Sequence, residues 1–446
     1  MRLDYFHTGG AGQEVFSLDR VLVEPLPWSG NLAKAIDNSN LGTYLFEVHD
    51  HATGKLLYSR GYASIYGEWE TTEEAKSTHR TFHESLRFPA PLAPVHVIVK
   101  RRDPQNVFRD VWSIDVDPND KYIDRSHAPS PAPLIEIEKN GDPAAKVDLL
   151  FLGEGYTAKE APKCEADIRR LVEGVFAVTP FKEHRKDFNL FAICAASPES
   201  GVSHPSVGKY RRTLFDSTFD VFGTERYALS FNNRAIRDLA AYAPYEFLGI
   251  VMNENAYGNG GIFGQYASVS IDFPNAIPVF VHEFGHHFAG LADEYYFDAN
   301  VAYTPATAKV EPWEPNVTAL PDPKQLKWKE LVEPGTPIPT PWPKAEYEQS
   351  IVNGRKKVQE MRAAKRPEAE IGAAMREART TTEKIFESGP FAGKVGAFEG
   401  ALYVNNGYYR SEQRCIMISG TAFCAACRHA IENVISMYAG PLKANH

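Results

Sequence analysis

Several absences narrow the field before any motif is read. No apolar run approaches the ~20 residues that a membrane-spanning helix needs. An excess of positive charge is also missing. Lys and Arg number 48 against 57 Asp and Glu, a net charge of −9. A nucleic-acid or anionic-membrane binder would need a basic face, so neither class is expected. The opening Met1-Arg2-Leu3-Asp4-Tyr5 does not lead into the apolar stretch of a secretory leader. Two settings agree with that: a cytoplasmic protein, or one whose leader was removed. Cysteine is scarce, with five residues: Cys164, Cys194, Cys415, Cys424 and Cys427. An odd count leaves at least one thiol unpaired if disulfides form.

What remains is an ordinary globular balance, 43% apolar and 24% charged. A chain of 446 residues exceeds one typical domain, so two are expected. The N-terminal part reads as strands. Val15 to Glu24 is apolar or alternating. Tyr44 to Val48 and Leu56 to Tyr58 flank Asp50-His51-Ala52-Thr53-Gly54 as a hairpin, and Val95 to Lys100 and Val107 to Val116 flank a second turn. The spacing predicts an all-β, sandwich-like domain over 1–125. Its histidines show no ligand spacing; His49 and His51 share a strand face and are the nearest approach to one.

Ser126 to Pro133 alternates proline with small residues and reads as a linker over 126–133. Beyond it, strand and helix alternate. Val147 to Gly153, Phe188 to Ala195 and Phe247 to Met252 are continuous apolar strands. Ile168, Leu171, Val172 and Val175 recur at helical spacing, and Thr224 to Ala243 predicts a helix capped by Thr224. The order implies an α/β (α+β) domain with a mixed sheet over 134–446. Gly258-Asn259-Gly260-Gly261 reads first as a turn before a strand from Ile262 to Ile271. Its functional reading is an edge strand that pairs with an extended substrate. A proline-dense stretch and then a charged, helix-favouring one form an insertion at about 300–390, with a solvated charged face.

The chemistry lies in His282-Glu283-Phe284-Gly285-His286. Pro278 suits the first turn of a helix, and His282 and His286 then stand one above the other. Two imidazoles so placed can hold one Zn²⁺, and Glu283 can take a proton from a metal-bound water as general base. Val279, Phe280 and Val281 mark the helix as buried, and Gly290 suits its end. His287 lies about 100° round the helix from His286 and is read as packing or support. A catalytic zinc usually keeps three protein ligands. Asp293 is preferred as the third, with Glu294 the alternative, and the other of the two orients a ligand.

The segment His282 to Tyr296 resembles the signature of the M64 metallopeptidases, the IgA-peptidase-like family. Leu149 to Thr157, Val395 to Ala401, Tyr408-Tyr409-Arg410, Cys415-Ile416-Met417 and Phe423 to Cys427 are similar to other parts of it. Together they cover most of 147–437. The N-terminal module resembles the β domain of bacterial members, notably those of Bacteroides type. The resemblance implies a metzincin-like zinc peptidase domain with Met417 in the turn beneath the metal. Metzincin spacing would put the glycine at Ala289 and the third ligand at Ala292; here both fall one residue later, at Gly290 and Asp293.

The resemblance also implies a secreted or cell-envelope setting, in which two of Cys415, Cys424 and Cys427 could pair. A structural Cys₃ metal site is the alternative, but Cys-x₈-Cys-x₂-Cys lacks a close fourth ligand. Tyr408, Tyr409 and Arg410 either meet substrate or pack structurally. The expected function is a zinc-dependent endopeptidase acting on a protein or peptide substrate: zinc on His282, His286 and Asp293, with Glu283 as base. Two alternatives stand beside it. One is a surface or secreted binding protein with a vestigial peptidase domain; the other is a zinc amidase acting on cell-wall peptides.

Overall fold

The computed structural model of the chain describes residues 1–10, 12–296 and 310–440. It divides into two compact units. One is Met1–Leu291 with the stretch from His429, and the other runs from Ala292 to Arg428. Among the described residues no helix is long and apolar enough to cross a membrane.

The first unit opens with seven strands, of which the first and fifth were not read from the sequence. They are β1 (Arg2–Gly10), β2 (Gln13–Leu22), β3 (Tyr44–Asp50), β4 (Leu56–Tyr62), β5 (Arg80–Arg87), β6 (Val95–Arg102) and β7 (Phe108–Val116), with a short helix α1 (Ile65–Trp69) after β4. They form two antiparallel sheets, ordered β2-β1-β5 and β4-β3-β6-β7. Alternation puts Leu3 and Tyr5 of one sheet and Phe46, Val48 and Val97 of the other into a shared core. The β3–β4 hairpin turns where the sequence puts it. Gly54 takes φ +70° and its N–H donates to Asp50 O at 2.8 Å.

After the irregular 126–133 segment come β8 (Leu134–Glu138), β9 (Val147–Glu154), α2 (Ala161–Val175), β10 (Phe188–Ile193), α3 (Asn233–Ala240), β11 (Phe247–Met252), β12 (Asn259–Ile262), β13 (Tyr266–Ser270) and α4 (Ala276–Ala289). The sheet order is β12-β13-β11-β9-β10-β8. The four inner strands are parallel, and both edges are antiparallel. Every residue of β9, β10 and β11 is buried, which requires cover on both faces. Phe280 of α4 meets Phe151 of β9 on one face, with ring centroids 6.0 Å apart. On the other, Leu150, Leu152, Leu248 and Ile250 pack with Ile236 and Leu239 of α3. Tyr66 and Trp69 of α1 and Phe82 of β5 join the same cluster. The apolar core therefore runs from the N-terminal module into the sheet.

Two expectations need correction. The helix expected from Thr224 begins at Asn233, where the Asn232 side chain caps it by accepting from Ala235 N–H. Upstream, the backbone is taken by cross-strand bonds, Ala228 N–H to Asn259 O and Leu229 N–H to Thr218 O. The strand expected over Ile262 to Ile271 is a hairpin instead. Gly260 and Gly261 lie within edge strand β12, and the turn falls at Phe263 to Gln265, with Gly264 at φ +73°. Gly261 is needed for close approach: a Cβ there would stand 2.1 Å from Glu283 O of α4.

The second unit holds β14 (Val317–Thr318), α5 (Lys344–Ala363), α6 (Glu368–Ser388), β15 (Phe398–Ala401), β16 (Val404–Arg410) and the start of α7 (Ala425–Tyr438). Its sheet is ordered β14-β16-β15. The expected insertion is helical over α5 and α6, and its first part, 300–309, lies outside the described residues. Tyr347 is the one buried residue of α5, which agrees with a solvated charged face.

Gly261→Ala should push β12 off α4, because backbone cannot yield to a 2.1 Å contact. Thermal denaturation should report a loss of about 1–3 kcal/mol, the usual cost of overpacking. An unchanged melting point would show that the strand shifts freely.

Candidate metal centre

Helix α4 has the expected start and stop. Pro278 sits in its first turn, and Gly290 ends it in the left-handed conformation, φ 60° and ψ 33°. Gly290 N–H donates to His286 O and Leu291 N–H to Gly285 O. Phe280, Phe284 and Phe288 form the buried face; Phe284 and Phe288 pack on Phe181 at 5.3 and 5.6 Å.

His282 and His286 share the half-buried face, as their spacing requires. Their Nε2 atoms are 3.1 Å apart. His286 is oriented by a second bond, in which Nδ1–H donates to Leu291 O at 2.5 Å. That fixes the tautomer with the Nε2 lone pair facing His282. Two ligands on one tetrahedral zinc at ~2.0–2.1 Å stand about 3.3 Å apart, so the pair fits a single metal ion. Glu283 is buried on the same turn, 7% exposed.

His287 supports the helix, as its position implied. It is fully buried; Nδ1–H donates to Ile262 O at 3.0 Å, and Nε2 accepts from Leu248 N–H at 3.1 Å. Burial lowers its pKa to about 3, so the ring is neutral and can fill both roles.

In the second unit, Asp293 and Glu294 take different partners. Asp293 accepts from the Tyr403 hydroxyl through Oδ2, and its backbone O accepts from Leu402 N–H. Glu294 is completely buried. Its Oε1 accepts from Asn316 Nδ2 at 2.9 Å and lies 3.3 and 3.2 Å from the sulfurs of Cys424 and Cys427. Its N–H donates to Met417 O at 2.9 Å, which fastens the methionine turn to this segment.

Tyr403 was not foreseen. It sits with Leu402 at the β15–β16 hairpin tip, both at positive φ, 62° and 51°. Such a turn ordinarily uses Asn-Gly, so sequence gave no signal for it. Leu402 N–H to Asp293 O and Tyr403 N–H to Tyr295 O hold the tip in place.

The structural reading of Tyr408 and Arg410 holds. Tyr408 packs with Ala292, Val317 and Ala401. Arg410 is buried, stacks on Trp342 at 4.8 Å and donates to Gly400 O. His49 bonds to Glu47 and Gly54 O, and His51 lies 3.6 Å from Asp115. Of the two readings of the C-terminal cysteines, the pairing is not the one formed. The disulfide joins Cys164 of α2 to Cys194 beyond β10, and Cys415, Cys424 and Cys427 are buried thiols. The crossover through α2 returns the chain along β10, the parallel neighbour of β9, which brings two cysteines 30 residues apart together.

A histidine pair able to hold a metal, with a buried glutamate beside it, on a helix packed against a mixed sheet, is the arrangement of a metallopeptidase. Comparison with family models agrees. Residues 135–435 match IgA Peptidase M64 and residues 1–113 match the Peptidase M64 N-terminus, so the chain belongs to the M64 peptidase family. No curated protein matches the chain.

Tyr403→Phe should remove the hydroxyl bond to Asp293 Oδ2. The expected loss is about 1.5–3 kcal/mol in denaturant unfolding, the worth of a hydrogen bond to a charged group. A variant as stable as the parent would mean that the hydroxyl bond contributes nothing.

Proposed function

We propose that the protein is a zinc-dependent endopeptidase, probed best through Glu283. The observation that carries this reading is the His282–His286 pair, with Nε2 atoms 3.1 Å apart and one ring locked by Leu291 O. His282, His286 and Asp293 would hold the metal. Asp293 follows His286 by seven residues, past a left-handed turn that lets the chain double back. Glu294, the other carboxylate considered, is directed at cysteine sulfur instead, which supports Asp293. A zinc bound by these residues would supply Lewis acidity to the scissile carbonyl and acidity to the attacking water. Glu283, beside the first histidine, accepts that water's proton. Tyr403 positions Asp293 through its hydroxyl.

Edge strand β12 is the proposed docking strand for an extended peptide. Gly261 places it in backbone contact with the Glu283 turn, which supports that role. We also propose a secreted or cell-envelope setting, supported by the Cys164–Cys194 disulfide. The proposed domains are 1–125 and 134–446, joined by 126–133.

Glu283→Gln should retain the metal at parent stoichiometry and lose peptide cleavage by at least about 10²–10⁴-fold, the share of a general base. Metal analysis and hydrolysis of a mixed peptide library read both quantities. Undiminished cleavage would sink the mechanism. Loss of metal with activity would mean that Glu283 acts on the site and not on the water.

A further inference from the structure

Glu294, Cys415, Cys424 and Cys427 form a second cluster of donors, wholly inside the second unit. All four are buried, and their donor atoms lie within 4.8 Å of one another. We infer that this cluster is a closed structural zinc site of three cysteines and one glutamate, distinct from the histidine site.

The distances carry the inference. Cys415 Sγ and Cys427 Sγ are 3.6 Å apart. Glu294 Oε1 is 3.3 Å from Cys424 Sγ and 3.2 Å from Cys427 Sγ. A tetrahedral zinc with Zn–S ~2.3 Å and Zn–O ~2.0–2.2 Å has donor–donor edges of about 3.7 Å for S···S and about 3.5 Å for S···O. The sulfur separation is far longer than a disulfide bond of ~2.05 Å. Backbone donors are already aimed at two sulfurs: Cys424 N–H reaches Cys415 Sγ at 3.3 Å and Cys427 N–H reaches Cys424 Sγ at 3.5 Å. Such bonds favour thiolate over thiol, which a metal ligand must be.

A second, independent observation is Glu294 itself. It is 0% exposed, and its Oε2 has no hydrogen-bond partner. A cation held among the neighbouring sulfurs, which are the ligands that a soft metal selects, would offset the cost of burying that carboxylate. The charge of Arg410 interacts with both Glu294 and Cys415, which offsets part of the negative charge of such a centre. With four protein ligands the site has no open position, so its role is structural. It ties together Glu294, the turn carrying Cys415 and Met417, and the first turn of α7 with Cys424 and Cys427.

The test separates this site from the histidine pair. The full chain carrying His282→Ala and His286→Ala should still hold one zinc per chain by elemental analysis. X-ray absorption on that variant should show a sulfur shell near 2.3 Å. Denatured in chelator without reductant, the parent should titrate three thiols. Glu294→Ala should release zinc to a chromophoric chelator at least tenfold faster, and Glu294→Cys should restore retention with a fourth sulfur. Absence of zinc from the histidine variant, a shell of nitrogen and oxygen only, or a single titratable thiol would each overturn the inference. None of these readouts depends on peptide cleavage, so failure of the endopeptidase reading would leave them intact.

Discussion

One imidazole holds helix and sheet together where the chemistry sits. His287 donates to β12 through Ile262 O and accepts from β11 through Leu248 N–H, so α4 has one register against the sheet. Both roles require a neutral ring, and burial secures that neutrality. A helix advances about 100° per residue, so fixing His287 inward turns His286 and His282 outward on their own face. Gly261 belongs to the same constraint. Only a residue without Cβ lets β12 lie against the Glu283 carbonyl. The apolar face of α4, its histidine face and the edge strand are thus three results of one packing arrangement.

The second unit applies a different device. Asp293 and Glu294 are adjacent, yet one is held by a tyrosine hydroxyl and the other by an asparagine amid sulfur atoms. The hairpin tip that supplies Tyr403 has two non-glycine residues at positive φ, a conformation that costs of order 1–3 kcal/mol at each such residue. It persists because Leu402 and Tyr403 N–H groups are bound to the Asp293 and Tyr295 carbonyls. Strain stored in that turn is matched by contacts to the segment carrying the candidate ligand.

The legible features were those with a local period. Alternation located five of the seven N-terminal strands but not β1 or β5, unbroken apolar runs located β9, β10 and β11, and i, i+4 spacing located the histidine pair. Gly290 was legible because a helix end needs a left-handed residue. The misreadings came from non-local competition. Asn232 captured the helix start because the preceding backbone was claimed by Thr218 and Asn259. Gly260 and Gly261 suggested a turn, whereas both lie in β12, where Gly261 meets a helix that follows it in sequence and Gly260 meets the Leu229 and Tyr227 side chains. Tyr403 carries no turn signature at all. The fourth donor of the cysteine cluster was invisible for the same reason, since Glu294 stands 130 residues before Cys424.

That distance changes what the cysteine spacing means. Cys-x₈-Cys-x₂-Cys looked incomplete because the missing ligand was sought nearby. Glu294 supplies it from the residue next to Asp293. Cys164 and Cys194 form a disulfide, whereas Cys415, Cys424 and Cys427 remain buried thiols, two of them with sulfurs 3.6 Å apart. Their separation as free cysteines, together with a buried carboxylate oxygen that has no donor, is the pattern that a resident cation explains. Glu294 thus acquires a role of its own. It anchors the methionine turn and α7 to the segment that carries Asp293.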